Sequence, residues 1–216
     1  MTATLASPLE LYGSGLAAHQ SVPVPVLRTR GGAVIRAPFE RWLGPVEAAD
    51  EDVLARARGP VLDVGCGVGR HVAALHEGGR DVLGVDISQA AVRLALRRGL
   101  PVVHGDVFGD VPRSGTWQTA LLLDENLGIG GCPATLLRRV GELLAPGGRI
   151  LVELAAPGVA PRSLHLRLEL GTRRSAWFPW ASVEPAALAA VARDADLDVS
   201  EQWRNGERWF AALDAA

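Results

Sequence analysis

The sequence predicts an α/β fold: a doubly wound, mostly parallel seven-stranded sheet that closes with a C-terminal antiparallel hairpin, with helices on both faces. Three observations predict it. Between Pro60 and Leu154, short apolar runs alternate with amphipathic helical stretches, the pattern of consecutive βαβ units. A glycine-rich turn, Gly65-Cys66-Gly67-Val68-Gly69, joins the first apolar run to the first helical stretch. Near the C-terminus, Asn205-Gly206 separates two further strand-like runs, and that dipeptide is the strongest short-range hairpin signal.

Taken in order, residues 1–58 read as an N-terminal cap segment and 59–216 as the core domain. Residues 9–18 predict a short helix carrying Tyr12, the only tyrosine. Pro23 and Pro25 stop it, because proline lacks the N–H and crowds the preceding turn. Val34-Ile35-Arg36 predicts a short strand, and residues 47–58 a helix.

The core opens with a strand over Val61–Val64 and a helix over Arg70–Glu77 that Gly78-Gly79 ends. A second strand spans Val82–Asp86. Ser88 then caps a helix whose Val92, Ala95 and Leu96 share one face against Arg93, Arg97 and Arg98. Residues 101–104 make a third strand. Residues 117–123 make a fourth, apolar almost throughout, as a strand covered on both faces requires. Pro133 opens a helix where its missing N–H costs nothing, and Leu136, Leu137, Val140, Leu143 and Leu144 form its apolar stripe. Ala145-Pro146-Gly147-Gly148 breaks the chain before a fifth strand over 149–154. An insertion at about 160–182 follows. Residues 164–170 alternate, Gly171-Thr172 turns, and 175–180 return with Trp177, Phe178 and Trp180. The closing hairpin pairs 197–203 with 208–213.

Composition removes several function classes. The 216 residues are 48% hydrophobic, enough for a sizeable core in one domain. A net charge of −2 leaves no electrostatic footprint for nucleic acid. No apolar run approaches the roughly 20 residues of a membrane helix, and no basic-then-apolar segment opens the chain, so a cytoplasmic location is expected. Cys66 and Cys132 stand too far apart to cluster with the scattered histidines, so no metal is expected. There is no lysine, which excludes Schiff-base chemistry, a P-loop, and the Tyr–Lys pair of short-chain dehydrogenases. Arginine- and alanine-rich usage suggests a GC-rich bacterial genome.

The glycine loop and the acid ending the second strand are the most informative pair. Glycines let the backbone pass close to a ligand, and Asp86 is placed to accept hydrogen bonds from two ribose hydroxyls. The spacing is Gly65, Gly67, Gly69, with Arg70 where the dinucleotide fingerprint wants its third glycine. Taken alone, the loop is equally a tight strand-to-helix turn, and Asp is a common turn residue. The stretch Asp63-Val64-Gly65-Cys66-Gly67-Val68-Gly69 resembles the first motif of the class I S-adenosylmethionine-dependent methyltransferases. The resemblance runs motif by motif from Pro60 to about Leu154, and by topology in the C-terminal hairpin. It implies S-adenosylmethionine as cofactor and S-adenosylhomocysteine as product. It places Asp63, Gly65, Cys66 and Gly67 around the methionine part, Asp86 on the ribose, Ile87 on the adenine face, Asp106 with Val107 at the adenine amino group, and Asp124 beside the sulfonium. His71 reads as lying on the solvated flank of its helix. His104 sits at a strand end and either faces the pocket or does not.

Methyl transfer is an in-line displacement by an acceptor on an already activated donor, so the protein must align the acceptor and exclude water. A general base is needed only where the acceptor is protonated. The loop 124–133 after the fourth strand is the candidate active site, with Asp124 and Glu125 as catalytic carboxylates and Asn126 as an acceptor ligand. It departs from the Asn-Pro-Pro-Tyr pattern of methyltransferases acting on nucleobase or glutamine amino groups. Its acids are equally readable as a solvated turn. Tyr12, Trp177 and Trp180 are the other candidate substrate ligands, and the aromatic cluster is either pocket wall or hairpin core. The expected geometry sets 124–126 opposite 177–180 across the sulfonium position. The expected function is methylation of a small molecule, with no nucleic-acid or membrane partner. Two rivals stand beside it: an NAD(P)-dependent oxidoreductase, disfavoured by Arg70 and by the lack of a second catalytic domain, and a non-catalytic S-adenosylmethionine-binding partner protein.

Overall fold

The computed structural model describes residues 5–18, 25–158 and 162–215; Pro23, expected to stop the first helix, lies outside them. The N-terminal segment contains α1 (Pro8–Ala18), β1 (Val26–Thr29), β2 (Val34–Arg36), α2 (Phe39–Leu43) and α3 (Ala48–Ala55). The core continues with β3 (Val61–Val64), α4 (Arg70–Glu77), β4 (Val82–Asp86), α5 (Gln89–Arg97), β5 (Val102–His104) and β6 (Trp117–Leu122). A 3₁₀ turn (Asn126–Gly131), α6 (Pro133–Leu143) and β7 (Leu144–Leu154) follow. The insertion supplies β8 (Arg162–Leu170), β9 (Arg173–Arg174) and β10 (Phe178–Ser182), and the chain ends with α7 (Pro185–Arg193), β11 (Leu197–Asn205) and β12 (Arg208–Ala215).

Side-chain alternation builds the central sheet and its two cores. The strand order is β11-β12-β7-β6-β3-β4-β5, parallel from β7 to β5 and antiparallel at β7–β12 and β12–β11. Leu62, Ala120, Leu122 and Ile150 point to one face, where Leu136, Val140 and Leu188 of α6 and α7 cover them. Their neighbours Val61, Leu121 and Leu151 point to the other, under Val53, Val72 and Val92 of α3, α4 and α5. Because successive residues in a strand face opposite sides, one apolar run feeds both cores. Among the described residues, no helix is long and apolar enough to cross a membrane.

A second, antiparallel sheet joins the two ends of the molecule. Its order is β10-β8-β1-β2, with β9 paired to β8. The N-terminal β1 pairs with the insertion at Leu27↔Leu168 and Arg28↔Arg167, so cap and insertion form one layer. The 3₁₀ turn after β6 packs against β10, bringing this layer over the carboxyl ends of the parallel strands. Gly128 makes the approach feasible: a Cβ there would stand 2.4 Å from Trp180 Nε1.

Four local expectations need correction. Leu96 is 53% exposed, and the buried face of α5 is Ala91, Val92 and Ala95. Leu144 belongs to β7 rather than to the stripe of α6, and 145–148 bulge within that strand instead of breaking it, the register jumping from Trp117↔Leu144 to Thr119↔Arg149. The final hairpin closes at Asn205↔Arg208, so its turn is Gly206-Glu207, one residue later than expected, with φ of +60° at Gly206. The helix expected over 47–58 is shorter, Ala48–Ala55, its start fixed by Glu47 N–H donating to Asp50 Oδ2 at 2.8 Å.

Candidate active site

The glycine loop leaves β3 with φ of +72° at Gly65 and +55° at Gly67, conformations that side chains resist. A Cβ at Gly65 would also stand 2.6 Å from Asn126 Nδ2. The loop is tied to the end of β4: Gly67 N–H donates to Asp86 Oδ2 at 2.8 Å and Ser88 N–H to Asp86 Oδ1 at 2.7 Å. Each Asp86 oxygen therefore keeps a lone pair for a ligand hydroxyl. Burial raises the Asp86 carboxyl above its usual range despite those two bonds. Ile87 follows, 49% exposed at the strand end. These residues, with Gly105, Asp106 and Val107, line one end of a cavity of about 840 Å³. Asp106 Oδ1 accepts the Phe108 N–H at 3.0 Å. Cys66 also lines the cavity, its thiol pushed well up first by burial and then by Asp63 and Asp86.

Asp63 is placed differently from the expectation. It is 1% exposed and is not among the cavity-lining residues. Asp63 Oδ2 lies 3.7 Å from His71 Nδ1, and has no hydrogen-bond partner among the described residues. His104 is also off the cavity, with its Nε2 3.1 Å from the Ile87 carbonyl.

The post-β6 loop carries backbone strain at two consecutive residues. Asp124 has φ of +55° and Glu125 of +60°, a conformation that costs a non-glycine residue about 1–3 kcal/mol. Three contacts hold it. Glu153 Oε2 accepts the Asp124 N–H at 2.7 Å, Arg70 Nη2 donates to Asp124 Oδ1 at 2.9 Å, and Asn126 Nδ2 donates to the Val64 and Gly65 carbonyls at 3.0 and 2.9 Å. Asn126 therefore spends both amide hydrogens on the strand end, while the residue still lines the cavity. Asp124 also pairs with Arg41 Nη2 at 3.3 Å. Glu125 differs: among the described residues nothing hydrogen-bonds to or pairs with its carboxyl, which faces the cavity. The residue is exposed at the cavity, yet the surrounding protein raises its carboxyl, Glu153 and Asp124 raise it further, and Arg41 works in the opposite direction.

Beneath the loop lies a buried charge network that the sequence did not disclose. Asp50, fully buried on α3, accepts from Arg70 on one side and from Arg208 Nη1 at 2.7 Å on the other. Arg208 grips Glu153 with Nε–Oε1 and Nη2–Oε2 both 2.8 Å. Burial alone would raise the Asp50 carboxyl, but His71, Arg70 and the Glu47 N–H hold it well below the carboxylate range. His71 is 4% exposed between Asp50 and Asp63, not on a solvated flank, because α3 covers that side of α4. Burial would lower His71, and the two carboxylates outweigh it, raising the imidazole to about 9. A raised basic group contributes stability fully below its unfolded value near 6.5 and loses it as pH climbs through 9. Stability is thus expected to fall by about 2–3 kcal/mol between pH 6.5 and 9.5. Urea titrations of the wild type and of His71→Gln across that window check this. A wild-type curve as flat as the variant's would mean that His71 is neutral.

The remaining walls are apolar. Tyr12 lines the cavity within a cluster with Phe39 and Trp42 (ring centroids 5.7 and 6.0 Å from Tyr12), its hydroxyl raised by burial and by Asp86. Leu27, Ile35, Leu166 and Leu168 face inward from the second sheet, with Phe178 and Trp180 beside them. Trp180 and the 124–126 loop thus meet at one cavity. Trp177 does not. It lies outside the lining, under the guanidiniums of Arg167 at 4.7 Å and Arg30 at 5.6 Å, because Phe178 and Trp180 take the inward-facing positions of β10. Ser182 ends that strand at the cavity wall, its buried Oγ without a partner among the described residues.

Known proteins resemble this chain along its core and over its whole length. The family model described as Methyltransferase domain matches residues 61–148. A ubiquinone biosynthesis O-methyltransferase of Xanthomonas euvesicatoria pv. vesicatoria is 30% identical over 179 residues, 72% of this chain and 71% of the relative. Its counterpart in Xylella fastidiosa is 32% identical over 178 residues, 71% and 70% of the two chains. Among solved structures, a SAM-dependent methyltransferase from Bacteroides fragilis in complex with S-adenosyl-L-homocysteine shares the fold at a TM-score of 0.83 and 24% identity, covering 99% of this chain and 98% of that one. The 1,6-didemethyltoxoflavin-N1-methyltransferase of Burkholderia thailandensis shares it at 0.64 and 19%, covering 100% and 93%.

Proposed function

The chain belongs to the class I S-adenosylmethionine-dependent methyltransferases, and from that premise we propose that it methylates a hydroxyl of a small, planar, mostly apolar acceptor, with Glu125 as the proton acceptor. Family membership sets aside the nicotinamide-dependent reading. The observation that carries the proposal is Glu125 itself, a carboxylate without a hydrogen-bond or ion-pair partner among the described residues, in a mostly apolar cavity that also holds the glycine loop and Asp86. That two relatives named above are O-methyltransferases of ubiquinone biosynthesis supports a hydroxyl acceptor.

The residues present fit the cofactor. Asp86 keeps a free lone pair on each oxygen, Ile87 stands exposed beside it, and Gly65 and Gly67, both at positive φ, carry the loop backbone along the cavity wall. In this reading Asp86 holds the ribose, Ile87 and Val107 border the adenine, Asp106 faces its amino group, and the backbone at Gly65, Cys66 and Gly67 meets the methionine part. When bound, S-adenosylmethionine supplies a methyl group on a positively charged sulfur. The chain's own residues do the rest. Glu125 takes the acceptor proton. Asp124, its oxygens engaged by Arg70 and Arg41, fixes the loop rather than acting as a base. Trp180, Phe178 and the inward leucines exclude water and seat the acceptor ring.

The test is transfer of tritium from methyl-labelled S-adenosylmethionine to a panel of small phenols and of amines matched in shape. Labelled phenol ethers are expected, and transfer confined to amines overturns the hydroxyl assignment. Asp86→Ala is expected to weaken S-adenosylhomocysteine binding by about 1–3 kcal/mol, the worth of charge-assisted hydrogen bonds to the ribose. Calorimetric titration of the folded variant checks it, and unchanged affinity would make Asp86 a turn residue.

A further inference from the structure

We propose that Arg41 is a specificity-determining residue on the acceptor side: its guanidinium faces the oxygen from which Glu125 removes the proton and selects acceptors bearing an acidic hydroxyl on a planar, uncharged body. The inference deepens the function proposed above and rests on it. Arg41 comes from α2, in the segment before the methyltransferase core, yet lines the same cavity as Asp124 and Glu125.

Arg41 has unspent hydrogen-bonding capacity. Three arginines surround the post-β6 loop, and two are fully engaged. Arg70 is shared between Asp50 and Asp124, and Arg208 between Asp50 and Glu153, with contacts of 2.7–2.9 Å typical of charged pairs. Arg41 is held loosely, 3.3 Å from Asp124 Oδ1 and 3.8 Å from Glu153 Oε1, and its Nε has no partner among the described residues. Its side chain is 24% exposed, so part of it reaches the cavity.

The chemistry gives that spare charge a use. When Glu125 takes the acceptor proton, the O–H bond breaks, the proton ends on the Glu125 carboxylate, and the electron pair stays on the acceptor oxygen. That oxyanion develops beside Asp124, which lines the cavity, with the buried Glu153 bonded to the Asp124 N–H. Of the cations nearby, Arg70 and Arg208 already answer those carboxylates and Asp50, while His71 lies behind between Asp50 and Asp63. Arg41 alone has capacity left to face new negative charge. An acceptor with a more acidic hydroxyl gains most, because more charge sits on its oxygen when the methyl is delivered. The cavity wall also includes Leu27, Ile35, Trp42 and Phe178, which offer an anionic body nothing.

A chromophoric phenol tests this without requiring turnover. With S-adenosylhomocysteine present, 4-nitrophenol is titrated against the Glu125→Gln protein, and the ionisation of the bound phenol is followed by absorbance against pH. Removing the neighbouring carboxylate leaves Arg41 as the controlling charge, so the bound phenol is expected to ionise at a pH about one unit or more below that of the free phenol. Adding Arg41→Met should abolish that difference, and adding Arg41→Lys should retain part of it. Arg41→Gln serves if the Met variant does not fold, with folding judged by calorimetric S-adenosylhomocysteine binding. Equal ionisation with and without Arg41 overturns the proposal, as does absence of saturable 4-nitrophenol binding. Failure of the parent reading looks different: Glu125→Gln then keeps full methyl transfer, whatever the bound phenol does.

Discussion

Replacing Glu125 with Gln is expected to lower kcat for a hydroxyl acceptor by about 10²–10⁴-fold, the usual contribution of a positioned general base. The substitution keeps the side chain's shape and removes only its capacity to take a proton. Affinity for S-adenosylhomocysteine should be unchanged, since Asp86, Ile87 and the glycine loop lie elsewhere in the cavity. The pH profile separates this from a structural effect. A base must be ionised to act, and the surrounding protein, Glu153 and Asp124 raise Glu125 above the ordinary glutamate range. Wild-type kcat/KM should therefore fall as pH drops through that raised value, and the acid limb should vanish in the variant. Asp124 is not expected to stand in, because Arg70 engages both of its oxygens. Steady-state rates measured across the acid limb decide it. A variant with wild-type kcat and the same acid limb would remove Glu125 from the chemistry.

The parts of the fold legible in the sequence are those governed by near neighbours. β3, α4 and β4 begin and end at the expected residues, because apolar alternation, glycine stops and the Ser88 cap are local signals. The second sheet was not legible as a whole. Val34–Arg36 and the 164–170 run each read as strands, but nothing local says that β1 pairs with β8 some 140 residues later, at Arg28↔Arg167. That pairing puts α1, α2 and the insertion over one cavity, and so explains why Tyr12 and Trp180 share a wall while Trp177, one step off the inward positions, does not. The charge network was hidden for a related reason. Arg70 was visible only as a missing glycine, and Asp50, Glu153 and Arg208 as scattered charges on separate elements. Arg41, in a five-residue helix between prolines and glycine, carried no periodic signal at all. Buried ionic groups pair through the tertiary fold, and their spacing in sequence follows no rule.

Asp50→Ala is expected to destabilise the protein by about 3–5 kcal/mol, the cost of stranding buried charge when one partner of a network is removed. Asp50 is fully buried and meets three cations, Arg70, Arg208 and His71. Each then loses a carboxylate at a site that water does not reach. The consequences spread along the contacts. Without Asp50, Arg70 keeps Asp124, and Arg208 keeps Glu153, the residue that holds the strained Asp124 N–H, with Glu47 at 4.0 Å. His71 loses its strongest raising partner and should titrate lower, so the stability lost between pH 6.5 and 9.5 in the wild type should shrink in the variant. Asp50→Asn keeps the volume and one acceptor oxygen, and should cost less than Ala while showing the same flattened pH dependence. Urea unfolding of both variants at pH 7 and pH 9 makes the comparison. A loss below about 1 kcal/mol in Asp50→Ala would mean that the three cations find other partners or water, and that the network is not the clamp on the catalytic loop that its geometry describes.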